Sequence, residues 1–290
     1  MKKHTTKVRR ESEFKNFWRR FRRNKAAVMG MVLFFLIILL ALTADLFFNY
    51  ETDAIAQNAS IRLQPPSAEH WFGTDHYGRD VLARIVYGAR MSLLISLSVT
   101  VIGTIPGMVL GFLAGYFGGK LDSVLMRICD MFMAIPALLM AITVVAALGP
   151  SVTNLIIALS IAGVPGTARF TRSMVLRLRG EEYVESARAV GTSDFRIMYR
   201  HIFPNTVSLT IVNATLSLGS MILAAAGLSF IGLGVQPPTP EWGTMLSNAR
   251  NYFTAYPYLL LLPGAAILIT VLAVNLFGDG LRDALDPKMK

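Results

Sequence analysis

The side chains that could support catalysis are few in this 290-residue chain, and none forms a known catalytic motif. There is one cysteine, Cys129, and the four histidines are His4, His70, His76 and His201. The H-E-x-x-H motif of zinc peptidases, the G-x-S-x-G motif of serine hydrolases and the C-x-x-C motif of redox proteins do not occur. The sequence therefore predicts a protein that is not an enzyme.

The segment Gly118-Gly119-Lys120 comes closest to a nucleotide-binding loop. A phosphate-binding loop needs Ser or Thr after the lysine, to bind Mg²⁺, and a glycine at its first position. Here Leu121 follows the lysine and Ala114 occupies the first position. We therefore expect no cofactor on this chain. If it transports actively, its energy must come from a gradient or from a partner chain.

His70 and His76 are the only histidines close to one another, and Glu69 and Asp75 lie beside them. A metal site needs more ligands at a defined geometry. The pattern favours solvated loop histidines and no metal site.

Asp130 is the only acidic residue well inside an apolar stretch. An ionisable side chain in a membrane is by default a candidate for a transport pathway. Arg127 lies one turn earlier, at a predicted helix end. There the Asp130 carboxylate can form an i,i+3 ion pair or extend to the membrane surface, so its charge costs little free energy. The spacing favours that local pair, and the substrate-pathway residues are unknown from the sequence.

The elements that must position these residues are predicted to span a membrane. The chain is 53% hydrophobic and 16% charged, whereas a soluble domain has about 25% charged residues. A helix crosses a bilayer with roughly 20 mostly apolar residues. Six stretches qualify: 26–44, one within 91–119, 127–148, 152–170, one within 205–234, and 256–278. We predict an all-α integral membrane protein with six transmembrane helices.

The basic residues predict the orientation of these helices. The net charge is +10, and most Lys and Arg residues lie in segments 1–25 and 169–200 and in the C-terminal tail. The positive-inside rule places both termini in the cytoplasm. The first apolar run is longer than the roughly 7–15 residues of a signal-peptide core, and Leu42 disrupts a cleavage site before Asp45. We expect it to be retained.

This pattern divides the chain into five parts. They are a cytoplasmic basic tail at 1–25, a first transmembrane helix at 26–48, an extracytoplasmic loop at 49–90, a core of five transmembrane helices at 91–279, and a cytoplasmic tail at 280–290. Within the extracytoplasmic loop, residues 79–90 have apolar side chains at helical spacing, with Arg79, Asp80 and Arg84 on the other face. This spacing predicts an interfacial helix before the second span.

The second span has a glycine at every fourth position, at Gly103, Gly107, Gly111 and Gly115. Spacing of four puts them on one helical face, where a neighbouring backbone can approach closely. We predict helix packing there, and a substrate-lining face is the alternative.

Residues 179–205, RGEEYVESARAVGTSDFRIMYRHIFPN, form a polar segment between two predicted spans. Glu181, Glu182 and Glu185 suit the first turn of a helix, and Gly191 is placed to end it. A second helix, capped by Thr192 or Ser193, is expected to end before Pro204. Its apolar stripe consists of Phe195, Met198, Tyr199 and Ile202. Such a pair suits docking into a partner's groove and equally a loop folded back on its own bundle.

The polar segment resembles the coupling loop of ABC importer permeases, at about 171–204. The family pattern is E-A-A, three residues, G, nine residues, I-x-L-P. This chain has Glu185-Ser186-Ala187, then Gly191, then His201-Ile202-Phe203-Pro204. Ser186, His201 and Phe203 depart from the pattern.

Three further segments resemble the dipeptide, oligopeptide, glutathione and nickel importer permeases: GTDHYGRDVLARIVYGARMSL, QPPTPEWGTMLSNAR and FGDGLRDALDPKMK. Within that group they are similar to the second, C-type permease subunit. The resemblance implies a type I ABC importer permease fold in a bacterial inner membrane. It also implies a homologous permease as the other half of a heterodimer, two ATPase subunits or domains that bind ATP and Mg²⁺, and an extracytoplasmic solute-binding protein, with no nucleic acid.

The resemblance also assigns roles to the matching positions. Glu185, Ala187 and Gly191 shape the helix that enters the ATPase groove, and Pro204 matches the end of the pattern. Glu181, Glu182 and Arg188 contact the rim of the groove. The resemblance favours di- or oligopeptides as cargo, with glutathione or nickel as alternatives. A gradient-driven secondary transporter is the competing class.

Overall fold

The computed structural model describes residues 13–285, whose regular elements are all helices, with no strand among the described residues. The helices are α1 (Glu13–Arg23), α2 (Lys25–Leu42), α3 (Ala44–Phe47), α4 (Val81–Phe117), α5 (Gly119–Met133), α6 (Ala137–Leu148), α7 (Val152–Arg179), α8 (Glu182–Ala189), α9 (Asp194–Ile197), α10 (Phe203–Phe230), α11 (Trp242–Ala249) and α12 (Tyr258–Leu285). Short π-turns cover Tyr50–Ile55 and Met198–Ile202, and a 3₁₀ turn covers Ala59–Ile61.

Five helical runs of the described chain are long and apolar enough to cross a membrane: α2, α4, α7, the run 194–230 and α12. The remaining predicted span is present as α5 and α6, which meet at a bend of 80°. Pro136 is the N-cap of α6, and a residue before proline is disfavoured in a helix. Counted as one crossing, the bent pair brings the total to the six spans that the sequence predicts.

Six crossings bring both ends of the described chain to the same end of the bundle. The Asn24 side-chain amide donates to Asp283 over 3.3 Å, and the rings of Phe21 and Phe277 meet edge to face at 6.0 Å. We call this end, which includes residues 180–202, the basic end. The opposite end, formed by residues 49–80 and 235–257, is called the network end.

The bundle is built around the contact between α4 and α7. The glycine stripe of α4 faces α7: a Cβ added at Gly107 would lie 2.7 Å from the Cβ of Thr167, and one at Gly115 would lie 2.9 Å from the carbonyl of Arg172. Only a residue without a side chain allows this approach. The stripe therefore sets the separation of the two helices.

The predicted interfacial helix at 79–90 is wrong, because residues 81–90 are the first turns of the 37-residue helix α4. Asp80 caps this helix and accepts the Ala83 amide N–H over 2.8 Å. No proline interrupts α4 before Pro106. The face with Arg79 and Arg84 is buried inside the protein and not turned to water.

The predicted helix end before Pro204 is also wrong, because the chain stays helical from Asp194 to Phe230. A proline ring normally clashes with the carbonyl of the preceding turn. Here the wider π-turn Met198–Ile202, closed by the Phe203 N–H on the Met198 carbonyl, precedes it, and Pro204 falls in the first turn of α10. The polar segment thus continues directly into a span.

Candidate functional site

The polar segment forms two short helices joined by a tight bend at the basic end. α8 ends in a left-handed residue, Gly191, with φ of +80°. The Gly191 amide donates to the Arg188 carbonyl over 3.0 Å, and the Thr192 amide donates to the Ala187 carbonyl over 3.1 Å. This pair of bonds is a Schellman motif, which favours glycine at its left-handed position. The bend fixes the direction in which α9 leaves α8.

One side of the polar segment is anchored to the bundle. Val184, Ile197 and Ile202 are each fully buried. They pack in one cluster with side chains of α4 and α7, which are Phe112, Tyr116, Val175 and Leu178. Burying three branched apolar side chains in this way stabilises the segment by several kcal/mol, at roughly 1.5–3 kcal/mol each. The sequence left open whether the segment docks into a partner's groove or folds back on its own bundle. This side of the segment folds back on its own bundle.

The other side of the polar segment is apolar but exposed. Val190 is 81% exposed, Phe195 78% and Tyr199 69%. We call these three residues the outward face. The predicted single stripe is therefore split: Met198 and Ile202 face the bundle, while Phe195 and Tyr199 do not. Ile197 is fully buried and sets the inward side of α9; Phe195 and Tyr199, two residues before and after it, lie about half a turn away on the outer side.

The residues that the resemblance selects lie around this outward face. The side chains of Glu181, Glu182, Glu185 and Arg188 are exposed, Ala187 is half-buried against the anchoring cluster, and Gly191 and Pro204 are exposed. Glu181 is the N-cap of α8, but its carboxylate makes no capping hydrogen bond. The three glutamates are therefore available to a partner, whereas Arg188 also interacts with the Tyr116 hydroxyl.

One residue of this region, Tyr116, carried no signal in the sequence. Tyr116, near the end of α4, donates its hydroxyl to the carboxylate of Asp194 over 2.5 Å. The Tyr116 carbonyl accepts from Arg179 Nη1 over 2.9 Å. Tyr116 stands in an ordinary apolar run, and no local pattern distinguishes it from a lipid-facing aromatic residue. Only the fold brings it to the polar segment.

Asp130 does not pair with Arg127 as the spacing suggested. Its carboxylate pairs with Arg169 of α7, because α5 packs against α7. A second ion pair joins the same helices: Arg172 Nε and Nη2 bind the two oxygens of Asp122 over 2.5 and 2.6 Å. Charged side chains of α5 thus find partners across the helix interface.

The histidines of the network end are half-buried and packed against neighbouring side chains, unlike the solvated loop histidines that the sequence favoured. His70 Nδ1 lies 2.8 Å from Asp80 Oδ2. The ring of His76 stacks on Tyr252 with centroids 5.1 Å apart, and burial lowers its pKa. Within residues 13–285 no three His, Cys, Asp or Glu side chains converge as metal ligands.

Buried charges hold the network end together. Asp75 accepts from Arg79 over 2.7 Å and lies 3.6 Å from Arg84 Nε. Arg84 Nη1 also donates to the Ala54 carbonyl over 2.5 Å. Both arginines are 2% exposed. Buried charges need such paired and hydrogen-bonded surroundings, so the loop 49–80 is a fixed part of the fold.

Glu241 is a buried helix cap at the same end. One carboxylate oxygen accepts the Gly243 amide (2.9 Å) and the Ser92 hydroxyl (3.1 Å), and the other accepts the Thr244 amide (2.9 Å) and hydroxyl (3.2 Å). The next residue, Trp242, is 1% exposed and donates its indole N–H to the Ile85 carbonyl over 3.0 Å. Glu241 thus ties α11 to α4.

Comparison with protein families gives two matches that together cover most of the chain. Residues 107–290 match the family described as "Binding-protein-dependent transport system inner membrane component". Residues 12–66 match the "N-terminal TM domain of oligopeptide transport permease C".

Two relatives show the extent of the sequence similarity. The chain is 46% identical over 279 residues to the dipeptide transport system permease protein DppC of Alkalihalophilus pseudofirmus, covering 96% of this chain and 91% of the relative. It is 47% identical over 274 residues to the glutathione transport system permease protein GsiD of Shigella flexneri, covering 94% of this chain and 90% of the relative.

A solved structure supports the same fold. An inward-facing conformation of the MetNI methionine ABC transporter superposes with a TM-score of 0.58 at 19% sequence identity, covering 71% of this chain and 98% of that one. The similarity shows the architecture that the two chains share.

Proposed function

The chain belongs to the family of binding-protein-dependent transport system inner membrane components, and from this premise we propose how it works within an importer. As a family member it is a multi-pass, non-catalytic permease subunit of an ABC importer. In our proposal it forms a heterodimer with a homologous permease. Two ATPase subunits or domains carry the ATP and Mg²⁺, and a solute-binding protein delivers cargo on the other side.

The ATPases dock on the outward face of the polar segment. The observation that supports this proposal is the exposure of Val190, Phe195 and Tyr199 beside a tightly anchored core. Exposed aromatic residues on a rigid support, rimmed by charge, are typical of a protein interface. Movement of the ATPases on binding ATP then pushes a segment that continues into α10.

The residues around the outward face have separate roles in this proposal. Glu181, Glu182 and Arg188 contact the rim of the ATPase groove. Glu185 and Ala187 shape α8, and Gly191 holds the bend between the two helices. Pro204 lies where the segment enters the span. The basic end is then the cytoplasmic end, which places both termini of the chain in the cytoplasm of a bacterium.

The proposed cargo is a small peptide. The two relatives described above are named for dipeptides and for glutathione, and glutathione is itself a tripeptide. Uptake of a labelled dipeptide by cells that express the complete transporter, in competition with tripeptides and glutathione, identifies the preferred class. We expect competition from peptides. Nickel as the better competitor would contradict the proposal.

The docking proposal is tested with a variant that leaves the fold intact. Replacing the whole polar segment would remove Ile197 and Ile202 from the buried cluster, so we choose the double variant Phe195→Ser/Tyr199→Ser. Both side chains are largely exposed, and their loss opens no cavity. We expect the purified complex to lose its ATPase subunits.

The matched control is Trp71→Ser, which removes an aromatic residue of the network end that is 69% exposed. It should leave the ATPases bound. Retention of the ATPases and full uptake by the double variant would overturn the docking proposal.

A further inference from the structure

Tyr116 lies where three helical segments meet at the basic end. It is the last but one residue of α4 and is 4% exposed. Its hydroxyl binds Asp194, the first residue of α9, and its carbonyl binds Arg179, the last residue of α7. Within residues 13–285, the only other hydrogen bond from α4 to α9 is a longer contact of the same hydroxyl with the Asp194 carbonyl, at 3.4 Å.

The spans differ in how they are connected to the outward face. α10 is connected through the chain itself, because residues 194–230 form one helical run. α4 lies far away in sequence and touches the polar segment through apolar packing and through Tyr116. Apolar packing has little directional preference, whereas a hydrogen bond to a carboxylate fixes both distance and direction.

We propose that Tyr116 is a positioning residue that transmits movement of the polar segment to α4 through its hydrogen bond to Asp194. This inference rests on the proposed function, since it needs a partner that moves the basic end. When the ATPases displace the outward face, α10 moves with the chain and α4 moves with Tyr116. α7 enters the polar segment through the chain at Arg179 and packs on α4 along the glycine stripe, so Tyr116 makes α4 follow the same movement as its two neighbours.

The chain contains a matched control on the same helix. Tyr87, at the network end of α4, is 3% exposed. Its hydroxyl also binds an aspartate, Asp45, over 2.8 Å, and it binds the Phe48 carbonyl over 2.7 Å. Tyr87 and Tyr116 thus lose equivalent bonds on substitution by phenylalanine, but only Tyr116 contacts the polar segment.

The experiment measures ATP hydrolysed per cargo molecule imported, in proteoliposomes that contain the complete transporter and its binding protein. Tyr116→Phe keeps the buried ring, so the complex should assemble. We expect the ratio of ATP to cargo to rise about tenfold, the factor that corresponds to losing one hydrogen bond to a charged group. Tyr87→Phe should leave the ratio at the wild-type value.

Substitutions of Asp194, the acceptor in this hydrogen bond, test the same interaction from its other side. Asp194→Ala should raise the ratio as Tyr116→Phe does, and the double variant should be no worse than either, since both remove one interaction. Asp194→Asn keeps an oxygen acceptor and should retain most of the coupling. If Tyr116→Phe fails to assemble, Asp194→Ala, at an exposed position, tests the bond.

An unchanged ratio in Tyr116→Phe and Asp194→Ala would overturn the inference. An equal rise in Tyr87→Phe would overturn it as well, because the effect would then follow from general loosening of α4. These outcomes differ from a failure of the proposed function. If the proposed function fails, the complex with Phe195→Ser/Tyr199→Ser keeps its ATPases, whatever the results for Tyr116→Phe and Tyr87→Phe.

Discussion

Two helices of eight residues, one at each end of the bundle, use a glutamate at the N-cap in opposite ways. Glu241 precedes α11, is 1% exposed and accepts four hydrogen bonds. Glu181 precedes α8, is exposed and makes no capping bond. The same residue at the same helix position is a structural group at the network end and a free charge at the basic end.

The aromatic side chains beside these caps show the same contrast. Trp242 of α11 is almost fully buried, whereas Phe195 and Tyr199 beyond α8 are mostly exposed. Around Glu241 and Trp242 the network end therefore fills its own polar and apolar contacts, although Trp71 of the same end is exposed. The basic end leaves both kinds of contact open, as expected of a surface that binds a partner.

The largest effect that tests this contrast is expected for Glu241→Ala. The substitution leaves the amides of Gly243 and Thr244, and the hydroxyl of Ser92 in α4, without their carboxylate acceptor. We expect the free energy of unfolding to fall by about 3 kcal/mol. Glu181→Ala, which removes an exposed carboxylate, should change it by less than about 0.5 kcal/mol. Unfolding of the two variants in detergent provides the comparison, and equal losses would contradict it.

A smaller effect is expected where α4 connects the two ends. At Gly111 an added Cβ would collide with the backbone of Ala168, so Gly111→Ala should lower stability by about 2 kcal/mol through overpacking. Gly163 of α7 has no atom within 4 Å of an added Cβ. Gly163→Ala should therefore stabilise its helix by up to about 1 kcal/mol. Thermal unfolding measures both, and a stabilised Gly111→Ala would show that the stripe does not set the helix separation.

The smallest effect is a pH dependence at the network end. Burial lowers the pKa of His76, with the charge of Asp75 opposing the shift and nearby arginines reinforcing it. The unfolded chain thus binds the proton more readily than the folded one. Stability is therefore retained above the unfolded pKa of about 6.5 and decreases as the pH falls below it.

His76→Phe can still stack on Tyr252 and does not titrate. Its loss of stability on acidification should be smaller than that of the unsubstituted protein. An identical pH profile for the two proteins would contradict the burial of His76.

The sequence predicted the parts of the structure that depend on local composition. The six apolar stretches predicted the crossings because span length follows from bilayer thickness. Gly191 predicted the end of α8 because few other residues adopt a left-handed conformation. The family resemblance rested on motifs spread over the whole chain, and the family match confirms it.

The errors arose where tertiary contacts decide the outcome. Arg79 and Arg84 on a helical face look the same whether water or a buried carboxylate faces them, so the interfacial helix was a natural but wrong prediction. Asp130 found its partner across a helix interface that the sequence does not display. Tyr116 has no local signature at all, because its role depends on where residue 194 lies in the fold.

The proposed coupling depends most directly on which end of the bundle contacts the ATPases. Cysteine cross-linking can measure this, since the single cysteine, Cys129, is buried and can be replaced by serine. In that background, Phe195→Cys in the assembled transporter should cross-link to an ATPase subunit, with a yield that changes when ATP binds. Trp71→Cys should give no such product. A cross-link to the ATPase from residue 71 and none from residue 195 would contradict the account.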